Sequence, residues 1–195
     1  MKRIALTLGA VAATCGPAFA HLDPVEHGSF AAGFSHPFFG TDHVLAMVAV
    51  GLWASMLGGR AILSVPAAFV ACMAAGFAAS LMALPLPLVE PVILASVIAL
   101  GLMAMIALRV PVVAAAAMVG FFAFFHGHAH GSELGAAGAL TFALGFAAAT
   151  ALLHAAGIGL GVLLGKAGRA SSGNVLARLL GAATALGGAW LAVGA

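Results

Sequence analysis

The sequence predicts an all-α polytopic membrane protein with six transmembrane helices after a cleavable N-terminal signal peptide. The first observation is composition: of 195 residues, 64% are hydrophobic and only 6% are charged, and the mean hydropathy is +1.21. Charged residues make up about a quarter of an ordinary soluble domain, so this chain has too few to cover a soluble surface. The second observation is a series of long apolar stretches, and the third is a signal-like start.

The first twenty residues have the pattern of a secretory signal. A positively charged start is followed by an apolar run and by the A-x-A cleavage sequence at 18–20. The alternative is an uncleaved first transmembrane helix, but the run is short for a span. We therefore predict that residues 1–20 are removed and that residues 21–195 form one six-helix transmembrane domain, which begins at His21.

Six further apolar stretches follow the signal and predict the six spans. The fourth is short for a helix that needs about 20 apolar residues to cross a bilayer, so we expect His126 near the membrane boundary. The fifth is too long for one perpendicular span and must tilt or bend. The approximate bounds of the six stretches are 28–57, 61–84, 91–108, 110–125, 134–165 and 175–195.

The charged residues predict the orientation. If the mature N-terminus is periplasmic, six spans place the basic residues between and beside the stretches on the cytoplasmic side, as the positive-inside rule requires. The same threading places the five acidic residues on the outer side. We therefore predict a multi-pass protein of the bacterial inner membrane, with lipid as a partner and no nucleic acid. The basic residues are Arg60, Arg109, Lys166, Arg169 and Arg178.

The first histidine-rich run extends from His36 to His43 and contains Asp42. Imidazole with carboxylate is the ligand set of nickel, cobalt or zinc, and ionisable groups at membrane depth are costly unless they function. On one continuous helix the two histidines would lie about 10 Å apart along the axis, too far to hold one ion. The proline and glycine between them favour a loop or broken helix that brings them together, with Thr41 capping the second part.

The second run contains His126, His128, His130 and Glu133. Spacings of four and three would place His126, His130 and Glu133 on one face of a helix. Two glycines within the run leave a turn between spans as an alternative. Either arrangement presents nitrogens and a carboxylate to the outer side. A solvated loop that binds metal only weakly is the competing interpretation, above all for His128.

Two further histidines are weaker candidates. His154 lies inside the fifth stretch, where its ring would either hydrogen-bond to a neighbouring helix or serve as a lower station on the path of an ion. After cleavage, His21 would combine its imidazole with a free α-amino group and could chelate a metal.

The two runs resemble the two signatures of the HupE/UreJ family of membrane proteins, and the resemblance covers nearly the whole chain. His36-Pro37, Gly40 and Asp42-His43 are similar to the first signature. Phe125-His126-Gly127, Ala129-His130-Gly131 and Glu133 are similar to the second. The resemblance implies nickel supply, sometimes cobalt supply, to hydrogenase or urease. It implies metal-binding roles for His36, Asp42, His43, His126, His130 and Glu133.

The leading hypothesis is a secondary permease that imports nickel and holds no permanently bound cofactor. A cobalt-selective permease is one alternative. A membrane metal-binding accessory protein, which delivers nickel without translocating it, is another. Hydrogenase or urease maturation proteins are the expected partners. No enzymatic activity is expected, because the chain has no HExxH motif and no recognisable nucleophile.

Overall fold

The chain folds into a bundle of α-helices. The computed structural model describes residues 30–133, 138–167 and 172–194, and every regular element in these ranges is a helix. The predicted signal peptide, its cleavage site and His21 lie outside them. In chain order the helices are α1 (Phe30–Phe39), α2 (Thr41–Leu57), α3 (Ala61–Leu81), α4 (Val89–Met105), α5 (Val112–Glu133), α6 (Ala139–Ala167) and α7 (Ser172–Gly194).

Helix length and composition make the chain a multi-pass membrane protein. Among the described residues, α3, α5, α6 and α7 are each long and apolar enough to cross a bilayer. Helices α1 and α2 together form a fifth candidate that is bent by 88°. Helix α4 is apolar but has 17 residues, fewer than the roughly 20 that a perpendicular span needs. The all-helical membrane class is confirmed, and the count of six spans stays a prediction.

Glycines allow four helix pairs to approach closely. In each pair, one glycine on each helix faces the partner's backbone at such short range that an added Cβ would overlap it. Small residues at such contacts let membrane helices gain van der Waals packing. The glycine pairs are Gly33 with Gly145 between α1 and α6, Gly51 with Gly157 between α2 and α6, Gly76 with Gly127 between α3 and α5, and Gly101 with Gly181 between α4 and α7.

One end of the bundle carries basic residues. The indole N–H of Trp53 donates to the carbonyl oxygen of Leu108 over 2.9 Å, which joins the end of α2 to the α4–α5 connection. Arg60 and Arg109 lie in the connections at this end and are exposed. Arg178 also belongs to it, because its Nε donates to a carbonyl at the end of α4 over 2.7 Å.

The opposite end carries carboxylates. Asp42 in the first turn of α2 and Glu90 in the first turn of α4 line one open cavity of about 460 Å³. The ring of His128 on α5 hydrogen-bonds to the carbonyl oxygen of Leu84 in the α3–α4 connection. The end of α5 therefore lies at the same end as the starts of α2 and α4.

Helix α5 corrects the predicted fourth stretch, which ended at residue 125. The helix continues to Glu133 because Gly127 and Gly131 do not end it but pack against α3. The histidine run is therefore helical, and the alternative of a turn is wrong. His126 is 0% exposed inside the protein, and its depth relative to the membrane boundary stays a prediction.

Candidate metal centre

A break in the backbone brings the histidines of the first run together. Helix α1 ends at Phe39 and α2 begins at Thr41, with an 88° bend between them. Gly40 is the N-cap residue of α2 and has an extended backbone, with φ −92° and ψ 110°. The predicted broken helix is confirmed. The predicted cap is wrong, because Gly40 occupies that position and Thr41 is the first helical residue.

Two histidines of the second run meet the first run. His126 and His130 are four residues apart on α5 and share a face. The ring centroid of His130 lies 4.8 Å from that of His36 and 4.4 Å from that of His43. His126 lies edge-on to His43, with centroids 4.8 Å apart. We name these four rings the imidazole cluster: His36, His43, His126 and His130.

Phenylalanines enclose the imidazole cluster. Phe146 of α6 lies 4.4 Å from the ring of His130, and Phe69 of α3 lies 5.8 Å from the ring of His126. His43, His126 and His130 are buried. The enclosure excludes bulk water, so the electrostatic interactions among the rings are stronger than they would be in solvent.

Asp42 determines which nitrogen of His43 faces the cluster. Its Oδ1 lies 3.0 Å from Nδ1 of His43. A carboxylate only accepts hydrogen bonds, so His43 donates from Nδ1 and the neutral ring carries its lone pair on Nε2. That Nε2 lies 2.5 Å from Nε2 of His130, which therefore donates to it. A carboxylate that orients a histidine in this way is the common support of a metal-ligating imidazole.

The imidazole cluster is a hydrogen-bonded group and not a preformed cage. In the part of the chain that the structure describes, no three His, Cys, Asp or Glu side chains are placed to hold one ion. The nitrogens of His43 and His130 point at each other, so an ion between them must displace the proton that they share. Because a ligating nitrogen carries no proton, that proton must move to the other nitrogen of His130 or leave the site. The side chain of Glu133 lies outside the described part.

His128 does not join the imidazole cluster. Its Nε2 lies 2.8 Å from the carbonyl oxygen of Leu84, and it lines a separate cavity of about 400 Å³ with Ser80 and Ser132. The ring ties α5 to the α3–α4 connection. The interpretation of His128 as part of a solvated loop is wrong, because the ring is buried on a helix.

His154 lies in the interior of α6, away from the cluster. It is 1% exposed, and its ring meets the edge of Phe69 at a centroid distance of 4.9 Å. Neither ring nitrogen has a hydrogen-bond partner among the described residues. The alternative of a hydrogen bond to a neighbouring helix is therefore wrong. Phe69 contacts both His126 and His154, and a role for His154 in ion passage stays a prediction.

The sequence candidates omitted two polar residues at the site. Glu90 shares its cavity with Asp42. Ser96 on α4 is 0% exposed and forms a hydrogen bond with Nε2 of His126 over 2.9 Å. Each is a polar side chain in an otherwise apolar stretch, and this contrast in the sequence is the signal that would have found them.

Fold and site together define a multi-pass helical membrane protein that holds buried imidazoles beside carboxylates at one end of its bundle. The family model described as HupE / UreJ protein matches residues 9–191. The chain belongs to the HupE/UreJ family, and the resemblance seen in its two motifs is confirmed. The chain is 47% identical over 196 residues to Protein HupE of Rhizobium leguminosarum bv. viciae. The aligned region covers 99% of this chain and 98% of that protein. No solved structure matches the chain.

Proposed function

We propose that the protein is a secondary permease that imports nickel through the bacterial inner membrane. The observation that carries the proposal is the meeting of four histidines from distant parts of the chain beside Asp42, three of them buried. The four are His36, His43, His126 and His130. Polar groups are costly inside an apolar bundle, so such a group indicates function. Imidazole and carboxylate suit nickel and cobalt, with which the family is associated.

We place the entrance for the ion at the cavity between the starts of α2 and α4. Asp42 and Glu90 line this cavity, and two carboxylates in one cleft attract a hydrated cation. Asp42 also bonds to His43, and we propose that a captured ion moves from Asp42 to the imidazole cluster. We propose that Glu133 and, after signal cleavage, His21 add ligands on the same side.

Inside the cluster, the ion takes the place of the proton between His43 and His130, and that proton moves to Nδ1 of His130, which keeps the ring neutral. Both Nε2 atoms then act as ligands, and His36 and His126 are within reach of the same region. Transport requires binding at several sites, each weak enough to release the ion, and neutral imidazoles meet that requirement. We propose that the ion continues to His126 and then past Phe69 to His154.

In the proposed threading, six spans place the cluster and the mature N-terminus at the periplasm. The basic end then faces the cytoplasm, in agreement with the positive-inside rule. Helix α4 serves as the third span although it is short, which a membrane accommodates by local thinning. Hydrogenase or urease maturation proteins receive the nickel on the cytoplasmic side. The protein performs no catalysis and needs no resident cofactor.

Nickel uptake by cells that lack other nickel importers tests the proposal. Cells with the parent protein should accumulate radioactive nickel at limiting concentration. His43→Ala should reduce that uptake by about 10- to 100-fold, the usual effect of disturbing a metal site or its supporting shell. Uptake equal to the parent's, at equal abundance in the membrane, would contradict the proposed route.

Reconstitution distinguishes a permease from an accessory protein. Liposomes that contain the purified protein and a nickel-sensitive dye in the lumen should show a dye response when nickel is added outside. Nickel bound to the protein without a response inside would support the accessory function instead. Competition by cobalt and zinc in the same liposomes ranks the metals, and a faster response to cobalt would favour the cobalt-selective alternative.

A further inference from the structure

Two hydrogen bonds of Ser96 determine where the proton of His126 lies. The Ser96 Oγ is 2.6 Å from the carbonyl oxygen of Ile93 and 2.9 Å from Nε2 of His126. A hydroxyl has one proton to donate, and a carbonyl can only accept. The hydroxyl proton therefore goes to Ile93, and the second contact is a bond only if His126 donates from Nε2.

This arrangement leaves the other nitrogen of His126 with a bare lone pair. A neutral imidazole with its proton on Nε2 has none on Nδ1. Nδ1 of His126 is buried and has no hydrogen-bond partner within the described ranges. A buried acceptor without a donor destabilises the folded protein. An ion that binds to Nδ1 of His126 would explain why the protein leaves this nitrogen unpaired.

We propose that Ser96 is a positioning residue that makes Nδ1 of His126 the atom that binds the transported ion. Asp42 has the corresponding effect on the adjacent ring, where it leaves the lone pair of His43 on Nε2. The two rings lie edge to face, 4.8 Å apart, so both supports act within one site. The inference rests on the proposed function, although the tautomer of His126 can be measured without nickel.

The carboxylate of Asp42 supports His43 more strongly than the hydroxyl of Ser96 supports His126. A carboxylate behind an imidazole raises the basicity of the ligand nitrogen, and a neutral hydroxyl does so less. His126 therefore binds the ion more weakly than His43 does. A weaker ligand deeper in the bundle suits release of the ion from the imidazole cluster toward the interior.

The tautomer is tested by nitrogen NMR of the metal-free protein in detergent, labelled with ¹⁵N at histidine. Loss of signals in His126→Gln assigns the ring. At neutral pH the parent should show a protonated Nε2 and an unprotonated Nδ1 for His126. Ser96→Ala should give a mixture of both tautomers. A parent His126 that carries its proton on Nδ1 would overturn the inference.

Transport provides the second readout, with a matched control. Ser55 on α2 donates to the carbonyl oxygen of Leu52 over 2.6 Å, in the same local geometry as Ser96, and bonds to no histidine in the described part. Ser96→Ala should raise the nickel concentration for half-maximal uptake about tenfold, while Ser55→Ala should match the parent. Equal values for the two variants would refute the positioning role and leave the permease intact. Parent-like uptake by His126→Ala would refute both the role of Ser96 and the passage through His126.

Discussion

His128 and His130 have different neighbours although they lie two residues apart on α5. Two residues correspond to about 200° around a helix, so their rings point away from each other. His130 belongs to the imidazole cluster, and its Nε2 faces Nε2 of His43. His128 reaches the α3–α4 connection at Leu84. Residues of one type in one motif therefore have separate roles.

Substitution of each histidine should separate binding from stability. His130→Ala should reduce nickel uptake at limiting concentration by about tenfold or more, because it removes a nitrogen of the cluster. His128→Ala should keep most of the uptake and lose about 1 kcal/mol of stability with its hydrogen bond. Uptake assays and thermal unfolding in detergent measure the two effects. Equal losses of uptake at equal membrane abundance would contradict this division.

At the scale of elements, α6 holds both arms of the broken helix in place. It is a helix of 29 residues. Its Gly145 lies against the backbone of α1, and its Gly157 lies against the backbone of α2. Phe142 and Phe146 on the same helix contact His36 of the imidazole cluster. The 88° bend between α1 and α2 therefore depends on contacts with α6 as well as on the local sequence.

Gly40, where the helix breaks, should not tolerate a side chain. A Cβ there would lie 2.8 Å from Nδ1 of His43 and 3.0 Å from Oδ1 of Asp42, so one of the two must move and their hydrogen bond is disturbed. We expect Gly40→Ala to raise the half-saturating nickel concentration several-fold, because it weakens without removing a charge-assisted hydrogen bond whose complete loss would cost about tenfold or more. The measurement is the half-saturating nickel concentration in cells.

A glycine of α6 provides the control for this substitution. A Cβ at Gly159 would meet no atom within 4 Å, so Gly159→Ala should transport like the parent. If Gly40→Ala also transports like the parent, the bond between Asp42 and His43 does not matter for uptake.

At the scale of the whole molecule, charge distinguishes the two ends. Arg60, Arg109 and Arg178 lie at one end, and Asp42 and Glu90 lie at the other. Basic residues in the loops of membrane proteins are retained on the cytoplasmic side and determine the orientation of the chain. Acidic residues have little influence on that orientation. This distribution is the physical basis for the proposed orientation, with the imidazole cluster toward the periplasm.

Reporter fusions test the orientation and the six spans together. Alkaline phosphatase is active only in the periplasm. Fusion after Ala195 should be active, because six spans return the chain to the side of the mature N-terminus, and fusion after Arg109 should be inactive. A third fusion after Pro87, in the α3–α4 connection, should be active, so equal activity after Pro87 and after Arg109 would show that α4 does not cross the membrane. Activity after both Arg109 and Ala195 would contradict the three spans between them.

Local properties of the sequence were sufficient to predict the class of the protein and the outline of its site. Composition and apolar stretches predicted a helical membrane protein. The proline and glycine between His36 and His43 predicted a broken helix, because backbone preferences act over a few residues. The spacing of His126 and His130 predicted a shared helix face, and the two motifs predicted the family.

Only the tertiary structure decided which side chains meet. His126 and His130 contact the histidines of the first run, whereas His128 contacts the α3–α4 connection. His154 contacts Phe69 instead of the imidazole cluster, and Ser96 forms a hydrogen bond with His126. These outcomes depend on which helices pack together, and the packing depends on close glycine contacts between residues far apart in the chain. Hydropathy and spacing describe each helix separately, so they contain no information about its neighbours.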